Sequence, residues 1–146
     1  MNHFLVATAS AHVHFERAMR RGYWNRLKRK IRHQPVQLEN FQSIQEGLRP
    51  YGQSDKGIKT IPVSKIVGSI GRVNEFDRDF MPVSSHIEEK WQHILMLQAR
   101  GVQLPPVDVY QVHETYYVID GNHRVSVSHF LGIEYVDAHV IELSKN

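Results

Sequence analysis

A strand that passes into a helix through a single glycine dominates the second half of this sequence. Residues 116–119 form a continuous apolar run, Asp120 and Gly121 follow, and residues 125–131 have the apolar spacing of a helix. Gly121 permits a sharp turn, because glycine adopts positive φ angles at little cost. Gly132 is placed to end the helix. The pattern predicts a buried strand, a tight turn and a short packed helix.

Residues 59–146 alternate short strands and helices. Four more segments have apolar patterns that predict secondary structure: an edge strand at 59–63, a helix at 87–99, and strands at 107–110 and 135–141. Gly68 and Gly71 indicate a turn, and Gly101 ends the first of the two helices. This alternation predicts an α+β or α/β domain with a small mixed sheet and packed helices.

The first part of the chain contains a basic helix. Apolar residues recur at every fourth position and predict one amphipathic stripe, formed by Phe15, Met19, Tyr23, Leu27 and Ile31. Ser10 is the predicted N-cap, and Pro35 ends the pattern. Residues 17–32 include eight basic and no acidic side chains. Residues 1–60 hold 11 basic and 4 acidic residues, whereas residues 61–146 hold 7 and 11, so attraction to polyanions is expected from the N-terminal segment.

This basic helix has more than one interpretation. Its cations could contact nucleic-acid phosphates, and the residues predicted for that role are Arg17, Arg20, Arg21, Lys28, Arg29 and Lys30. Alternatively, the cations are solvated while the apolar stripe packs on the domain or on a second copy in a homodimer. The stripe also suits a membrane surface, but no lipidation signal accompanies it.

A connector follows the helix. Residues 36–48 predict a short helix through Leu38, Phe41, Ile44 and Leu48, and residues 50–57 predict a loop, since they contain Pro50, Gly52, Ser54 and Gly57. We therefore predict a helical extension with its connector at residues 1–58 and a domain at residues 59–146.

The turn at residues 120–124 is the candidate binding site. His123 and Arg124 fall in the first turn of a helix, where free N–H groups and the positive end of the dipole attract anions. Arg124 offers bidentate contact to phosphate, and His123 offers a switchable donor. The alternative is a plain capping turn, in which Asp120 or Asn122 caps the helix and Arg124 pairs with Asp120 or Glu134.

Composition excludes several classes of protein. The 146 residues include no cysteine, which excludes disulfide scaffolds, thiolate zinc sites and cysteine nucleophiles. No apolar run approaches the ~18 residues of a membrane helix, and the first residues lack a signal-peptide pattern. We expect a cytoplasmic protein with no membrane partner.

Residues 59–143 resemble the ParB N-terminal/sulfiredoxin fold. The resemblance rests on residues 61–66 (IPVSKI), 105–109 (PPVDV), 117–127 (YVIDGNHRVSV) and 132–136 (GIEYV). With its basic helix, the chain is similar to a bacterial group of small ParB-like proteins. The resemblance implies a bound nucleotide, either ATP, ADP or CTP, held by Arg72, Gly121, Asn122, His123 and Arg124.

Proteins of this fold differ in activity. Sulfiredoxins have a cysteine where this chain has Asn122, so that activity is excluded. ParB partition proteins bind CTP through a Gly-Glu-Arg-Arg box, in which Arg124 matches the last arginine and His123 replaces the other. Free-serine kinases use Asp-Gly-His-His-Arg, which residues 120–124 match at all but one position.

The kinase resemblance implies a nucleotide-dependent phosphotransferase or a nucleotide hydrolase. Its catalytic residues would be Glu75 or Asp77 as base, together with Asp120, and Mg²⁺ would be held by Asp120 and Glu75. The alternative is a non-catalytic, DNA-associated regulator of ParB type that contacts DNA through the basic helix. A ParB-like nuclease is a third interpretation.

Overall fold

The computed structural model describes residues 8–45 and 51–145. Its elements are α1 (Thr8–Ile31), β1 (Glu39–Asn40), α2 (Phe41–Gln45), β2 (Tyr51–Pro62), β3 (Ile66–Ser69), α3 (Glu88–Ala99), β4 (Val107–Val112), β5 (Thr115–Asp120), α4 (Asn122–Leu131) and β6 (Tyr135–Lys145). The predicted α+β class is confirmed. Within the residues described, no helix is both long and apolar enough to cross a bilayer.

The six strands form one mixed sheet in the order β1-β3-β5-β4-β6-β2. The pairs β1–β3, β3–β5 and β4–β6 are parallel, and the pairs β4–β5 and β2–β6 are antiparallel. Strand β2 lies at the edge, as its Pro62 predicts, because proline has no N–H to donate and is tolerated where no second strand needs that donor. The carboxyl end of β5 therefore lies within the sheet, where α4 follows it.

Helices α1, α3 and α4 pack together around a buried tryptophan. Trp91 of α3 is 0% exposed, and the rings of Phe15 and Phe130 contact it edge-on, with centroids 5.5 and 5.3 Å away. Its indole N–H donates to the hydroxyl of Ser126 at 2.9 Å, so the buried donor is satisfied. A second, smaller cluster forms around Phe41, whose ring stacks on Tyr110.

The predicted stripe of α1 leaves the core halfway along the helix. Phe15 is buried, whereas Tyr23, Leu27 and Ile31 are 58%, 39% and 71% exposed. Four residues advance a 3.6-residue helix by about 400°, so each step of the stripe rotates about 40° away from the core. The buried positions of α1 follow a mixed spacing instead, at Ala11, Phe15, Ala18 and Gly22.

The connector differs from its prediction. The helix expected from residue 36 is reduced to α2, because Glu39 and Asn40 pair with β3 as strand β1. The end of that prediction, at Leu48, lies outside the described residues, as does Pro50. The predicted loop is wrong for residues 51–57, which belong to β2 and pair with β6 around a bulge. The division between residues 58 and 59 falls within β2 and stays a prediction.

Several bounds also differ. Helix α1 already includes Thr8, so Ser10 lies inside it and is not its N-cap. The same helix ends at Ile31, four residues before Pro35. Helix α4 begins at Asn122, three residues earlier than its apolar spacing indicates, and a glycine in the left-handed conformation, Gly132, ends it as predicted.

Candidate phosphate-binding cleft

Gly121 alone connects β5 to α4. Its φ is +115°, which confirms the predicted tight turn. A Cβ atom at this position would lie 2.6 Å from Cγ1 of Val107, so the junction has room only for glycine. Gly121 is itself the N-cap residue, and no side chain caps α4, which corrects the prediction that Asp120 or Asn122 would do so.

A cleft of about 460 Å³ opens at this uncapped helix start. Its lining comprises residues 119–124, residues 70–72 from the segment after β3, and Lys90 and Ile94 of α3. The structure thus brings together every residue predicted to bind the nucleotide: Arg72, Gly121, Asn122, His123 and Arg124. Sequence reasoning missed Lys90 and Ile94, because a helical pattern does not indicate which cleft each turn faces.

The cleft is electropositive. Arg72, Lys90 and Arg124 contribute positive charges to the lining, and Asp120 contributes the negative one. The N–H groups of the first turn of α4 have no intrahelical acceptors, and they add the positive end of the helix dipole. Lys90 has no ion pair with any residue that the structure describes. The cleft is therefore suited to an anion.

His123 lies in the wall of this cleft and is 8% exposed. Burial is the main cause that lowers the pKa of His123 to about 4, and the positive charge of Lys90 lowers it further, while Glu75 opposes the shift. His123 is therefore neutral near pH 7. Its predicted role as a donor that switches near neutral pH is wrong, because the imidazole gains its proton only at distinctly acidic pH.

The side chain of Asn122 is also in the cleft lining. It is 8% exposed, and its Oδ1 atom is buried without a hydrogen-bond partner. Buried polar atoms are nearly always paired, but this oxygen is closed off from solvent, so a ligand in the cleft does not reach it in this conformation.

Arg124 is already engaged by the protein. Its Nη1 donates to the carbonyl oxygens of Pro105 at 2.6 Å and Pro106 at 3.1 Å, and its Nη2 donates to Asp120 Oδ2 at 3.4 Å. The pair with Asp120 is the one that the capping-turn alternative predicts. Arg124 therefore holds the segment before β4 in place, and Arg72 and Lys90 are the cations better able to meet a ligand.

Glu75 lies behind Arg72. Its Oε1 accepts a hydrogen bond from Arg72 Nη1 at 3.0 Å and lies 3.2 Å from His86 Nε2. Burial alone would raise the pKa of Glu75, but the hydrogen bonds with His86 and Arg72 outweigh it, and the pKa lies below its ordinary value. Glu75 is therefore an ionised carboxylate near pH 7 and reaches the cleft through Arg72.

Asp77, the other candidate base, does not line the cleft. It is 2% exposed, its Oδ2 accepts from Arg26 Nη1 at 2.9 Å, and its Oδ1 accepts from the N–H groups of Asp79 and Met81. Burial raises the pKa of Asp77 to about 6. Asp79 is bound by Arg29 in a two-point ion pair. Both aspartates thus attach the segment between β3 and α3 to helix α1.

Of the two carboxylates predicted to hold Mg²⁺, one is placed where it could do so. Among residues 8–45 and 51–145, no group of three or more histidine, aspartate or glutamate residues is placed to hold a metal. Mg²⁺ bound with a nucleotide needs only one or two carboxylates. Asp120 suits that role, since its side chain is 74% exposed at the cleft. Glu75 suits it less, because it does not line the cleft, Arg72 and His86 contact its Oε1, and its Oε2 is buried.

The residues predicted to contact nucleic acid separate into two groups. Arg21 lies over the ring of Phe130, 5.1 Å from its centroid, and Arg29 is paired with Asp79. The other four are exposed to solvent on α1: Arg17, Arg20, Lys28 and Lys30.

No protein-family model and no curated protein matches this chain. Among solved structures, the chain is similar to sulfiredoxin from Arabidopsis thaliana, with 23% sequence identity and a TM-score of 0.43. The similarity covers 57% of this chain and 82% of that chain. A similarity at this level carries no argument about function, and the architecture rests on the strand order and register given above.

Proposed function

We propose that this protein binds a phosphate-bearing ligand, with ATP, ADP and CTP as the candidate nucleotides, in the cleft at the start of α4. The observation that carries the proposal is the convergence of Arg72, Lys90 and the uncapped first turn of α4 on one cleft. Helix N-termini bind phosphate through free N–H groups, and flanking cations strengthen that binding.

The size of the cleft supports a small organic molecule such as a nucleotide. Its volume of about 460 Å³ falls in the range of about 300–1,000 Å³ that is typical of small-molecule sites.

The backbone of Arg72 supports the same site. Its φ is +62°, the left-handed region that residues other than glycine rarely adopt. Such strain costs about 1–3 kcal/mol and clusters at active sites and ligand clamps. Of the four described residues other than glycine with a positive φ, which are His33, Arg72, Phe80 and His113, Arg72 is the one in the cleft lining. The hydrogen bond between Arg72 and Glu75 holds the guanidinium from the other side.

Two versions of this function differ in whether chemistry follows binding. In a phosphotransferase or hydrolase, Glu75 would be the base, and Asp120 would hold a Mg²⁺ ion that neutralises phosphate charge. The second version is a non-catalytic regulator that senses the nucleotide while α1 contacts DNA. The ion pair between Glu75 and Arg72 favours the second, because a carboxylate with a lowered pKa is a weak base.

Two measurements separate these versions. A thermal-shift screen with ATP, ADP and CTP, each with and without Mg²⁺, should reveal binding, since ligand at 100 times its Kd stabilises a protein by ~2.7 kcal/mol. Release of inorganic phosphate or nucleoside diphosphate by the wild type, abolished in Glu75→Gln, would support the enzyme. Binding without turnover supports the regulator, and stabilisation by none of the nucleotides contradicts the proposal itself.

A further inference from the structure

The side of α1 that faces away from the domain carries a set of exposed hydrophobic residues. Their exposed fractions range from 39% to 71%, and they are Val13, Tyr23, Trp24, Leu27 and Ile31. Tyr23 and Trp24 contact each other edge-on, with ring centroids 5.4 Å apart. We call this surface the outer face of α1. Two of its residues are aromatic rings available for stacking.

Unpaired cations surround the outer face. Six have no acidic partner within the described part of the chain: Arg17, Arg20, Arg21, Lys28, Lys30 and Arg32. Arg21 is held over the ring of Phe130, which leaves the other five for a ligand. Arg26 and Arg29 differ from them, since Asp77 and Asp79 neutralise them. The one acidic residue of α1, Glu16, lies 3.1 Å from His12. The outer face is therefore strongly positive.

One end of this surface has a polar depression of about 220 Å³. Lys28 and Arg32 lie on its lining with the amides of Asn25 and Gln34. Arg29 and Asp79 complete the lining and neutralise each other. The depression thus presents two unpaired cations and two amide groups, a donor set that fits a phosphate group.

We propose that the outer face of α1 binds single-stranded nucleic acid. The cations would contact successive phosphates, and unpaired bases would stack on Trp24 and Tyr23. The cations at residues 17–32 extend over about 22 Å of helix, at about 1.5 Å per residue, which spans several nucleotides. A duplex fits less well, because its bases are stacked inside and cannot reach the rings. A second copy is disfavoured by repulsion between the cations.

This inference deepens the regulator version of the proposed function by naming the class of nucleic acid. It rests on that version only for its biological role, because the outer face and the cleft share no residue. Binding at the two places can therefore be measured separately, and either can fail alone.

The experiment uses the fluorescence of Trp24. The chain has two tryptophans, and Trp91 is 0% exposed whereas Trp24 is 56% exposed. Titration with a 12-nucleotide oligothymidine should quench the emission of Trp24 and leave that of Trp91 unchanged. The affinity should fall with salt, with a log–log slope of roughly −0.7 for each phosphate contact.

Three variants make the test specific. Trp24→Ala should weaken binding of the single strand about tenfold and leave weak duplex binding unchanged, since one stacked base is lost. Because this variant lacks the Trp24 emission, the variants are compared by the fluorescence anisotropy of a dye-labelled oligonucleotide. The double variant Lys28→Ala/Arg32→Ala should make the salt slope less negative by roughly 1.4. The matched control, Lys59→Ala/Lys65→Ala, removes two exposed cations outside α1 and should change nothing. Nucleotide-induced thermal shifts should persist in all three.

Four outcomes would overturn the inference. The first is that the oligonucleotide leaves the emission of Trp24 unchanged, and the second is that a duplex binds as tightly as the single strand. The third is that vesicles of anionic lipid quench the emission whereas the oligonucleotide does not. The fourth is that the protein forms a concentration-dependent dimer that buries Trp24 without nucleic acid.

Discussion

The ring of Phe76 packs edge-on against the imidazole of His123, with centroids 5.3 Å apart. Phe76 is 1% exposed, and the next residue, Asp77, is ion-paired with Arg26 of α1. Two adjacent side chains thus connect the basic helix to the wall of the cleft. The same segment carries Arg72, so the position of a ligand-binding cation depends on how α1 holds this segment.

Asp77→Ala should therefore damage both stability and ligand binding. It leaves Arg26 without its partner and removes the acceptor of two backbone N–H groups, which should lower the free energy of unfolding by about 3–5 kcal/mol. Asp79→Ala is the matched variant, because its pair with Arg29 is more exposed and contributes less than about 1 kcal/mol. Urea denaturation measures both. Equal losses in the two variants would contradict the anchoring role of Asp77.

Stability should decrease as the pH falls from about 6.5 to 4. Burial lowers the pKa of His123 and of His129 to about 4, so in this interval the unfolded chain binds protons that the folded chain does not. Asp77 partly offsets this below pH 6, because its raised pKa lets the folded state bind a proton first.

His123→Gln isolates one contribution to this pH dependence. It should reduce the change in unfolding free energy by up to about 1.4 kcal/mol per pH unit between pH 6 and 4.5. Urea denaturation at several pH values provides the measurement. A wild type and a variant with the same pH slope would show that His123 is not held neutral by burial.

Gly121→Ala should lower the free energy of unfolding by about 2–4 kcal/mol. The new Cβ would meet Val107 at 2.6 Å, and the φ of +115° strains any side chain. Adding Val107→Ala removes the contact with Cγ1 but keeps the 3.0 Å approach to the Cβ atom of residue 107 and the backbone strain. Gly121→Ala should therefore cost less stability in the Val107→Ala background than in the wild type, but still more than nothing. Thermal denaturation of the four proteins completes the cycle, and a Gly121→Ala protein as stable as the wild type would refute this account of the junction.

Arg124→Ala should act mainly on stability. It removes the donors to the carbonyls of Pro105 and Pro106, at a cost of about 1.5–3 kcal/mol, whereas the cleft keeps Arg72 and Lys90. Chemical denaturation and a nucleotide titration on the same sample separate the two effects. A fully stable variant that no longer binds nucleotide would instead place Arg124 at the centre of the site.

Local patterns were enough to predict the junction but not what surrounds it. The strand, Gly121 and the helix are neighbours in sequence, so their geometry follows from short-range sterics. Asp77 and Arg26 are 51 residues apart, and nothing near either residue indicates the pair. The predicted apolar stripe on α1 does not stay on the core, because residues spaced by four resemble the helical period of 3.6 but rotate gradually around the helix.

The same distinction explains β2 and Lys90. The glycines and polar residues at positions 52–57 indicate a loop, yet they pair with β6 because an adjoining strand supplies hydrogen-bond partners. Lys90 enters the cleft only because α3 and α4 pack side by side, and that arrangement has no local signature.

Isothermal titration calorimetry of Arg72→Gly with the nucleotide that stabilises the wild type tests the central claim most directly. Glycine relieves the strained φ of +62°, so this variant should remain folded although it loses the guanidinium and its pair with Glu75. We predict that its nucleotide affinity falls at least tenfold, that Lys90→Ala has a similar effect, and that Lys65→Ala, outside the cleft, has none. Unchanged affinity in a folded Arg72→Gly protein would contradict the assignment of this cleft as the phosphate-binding site.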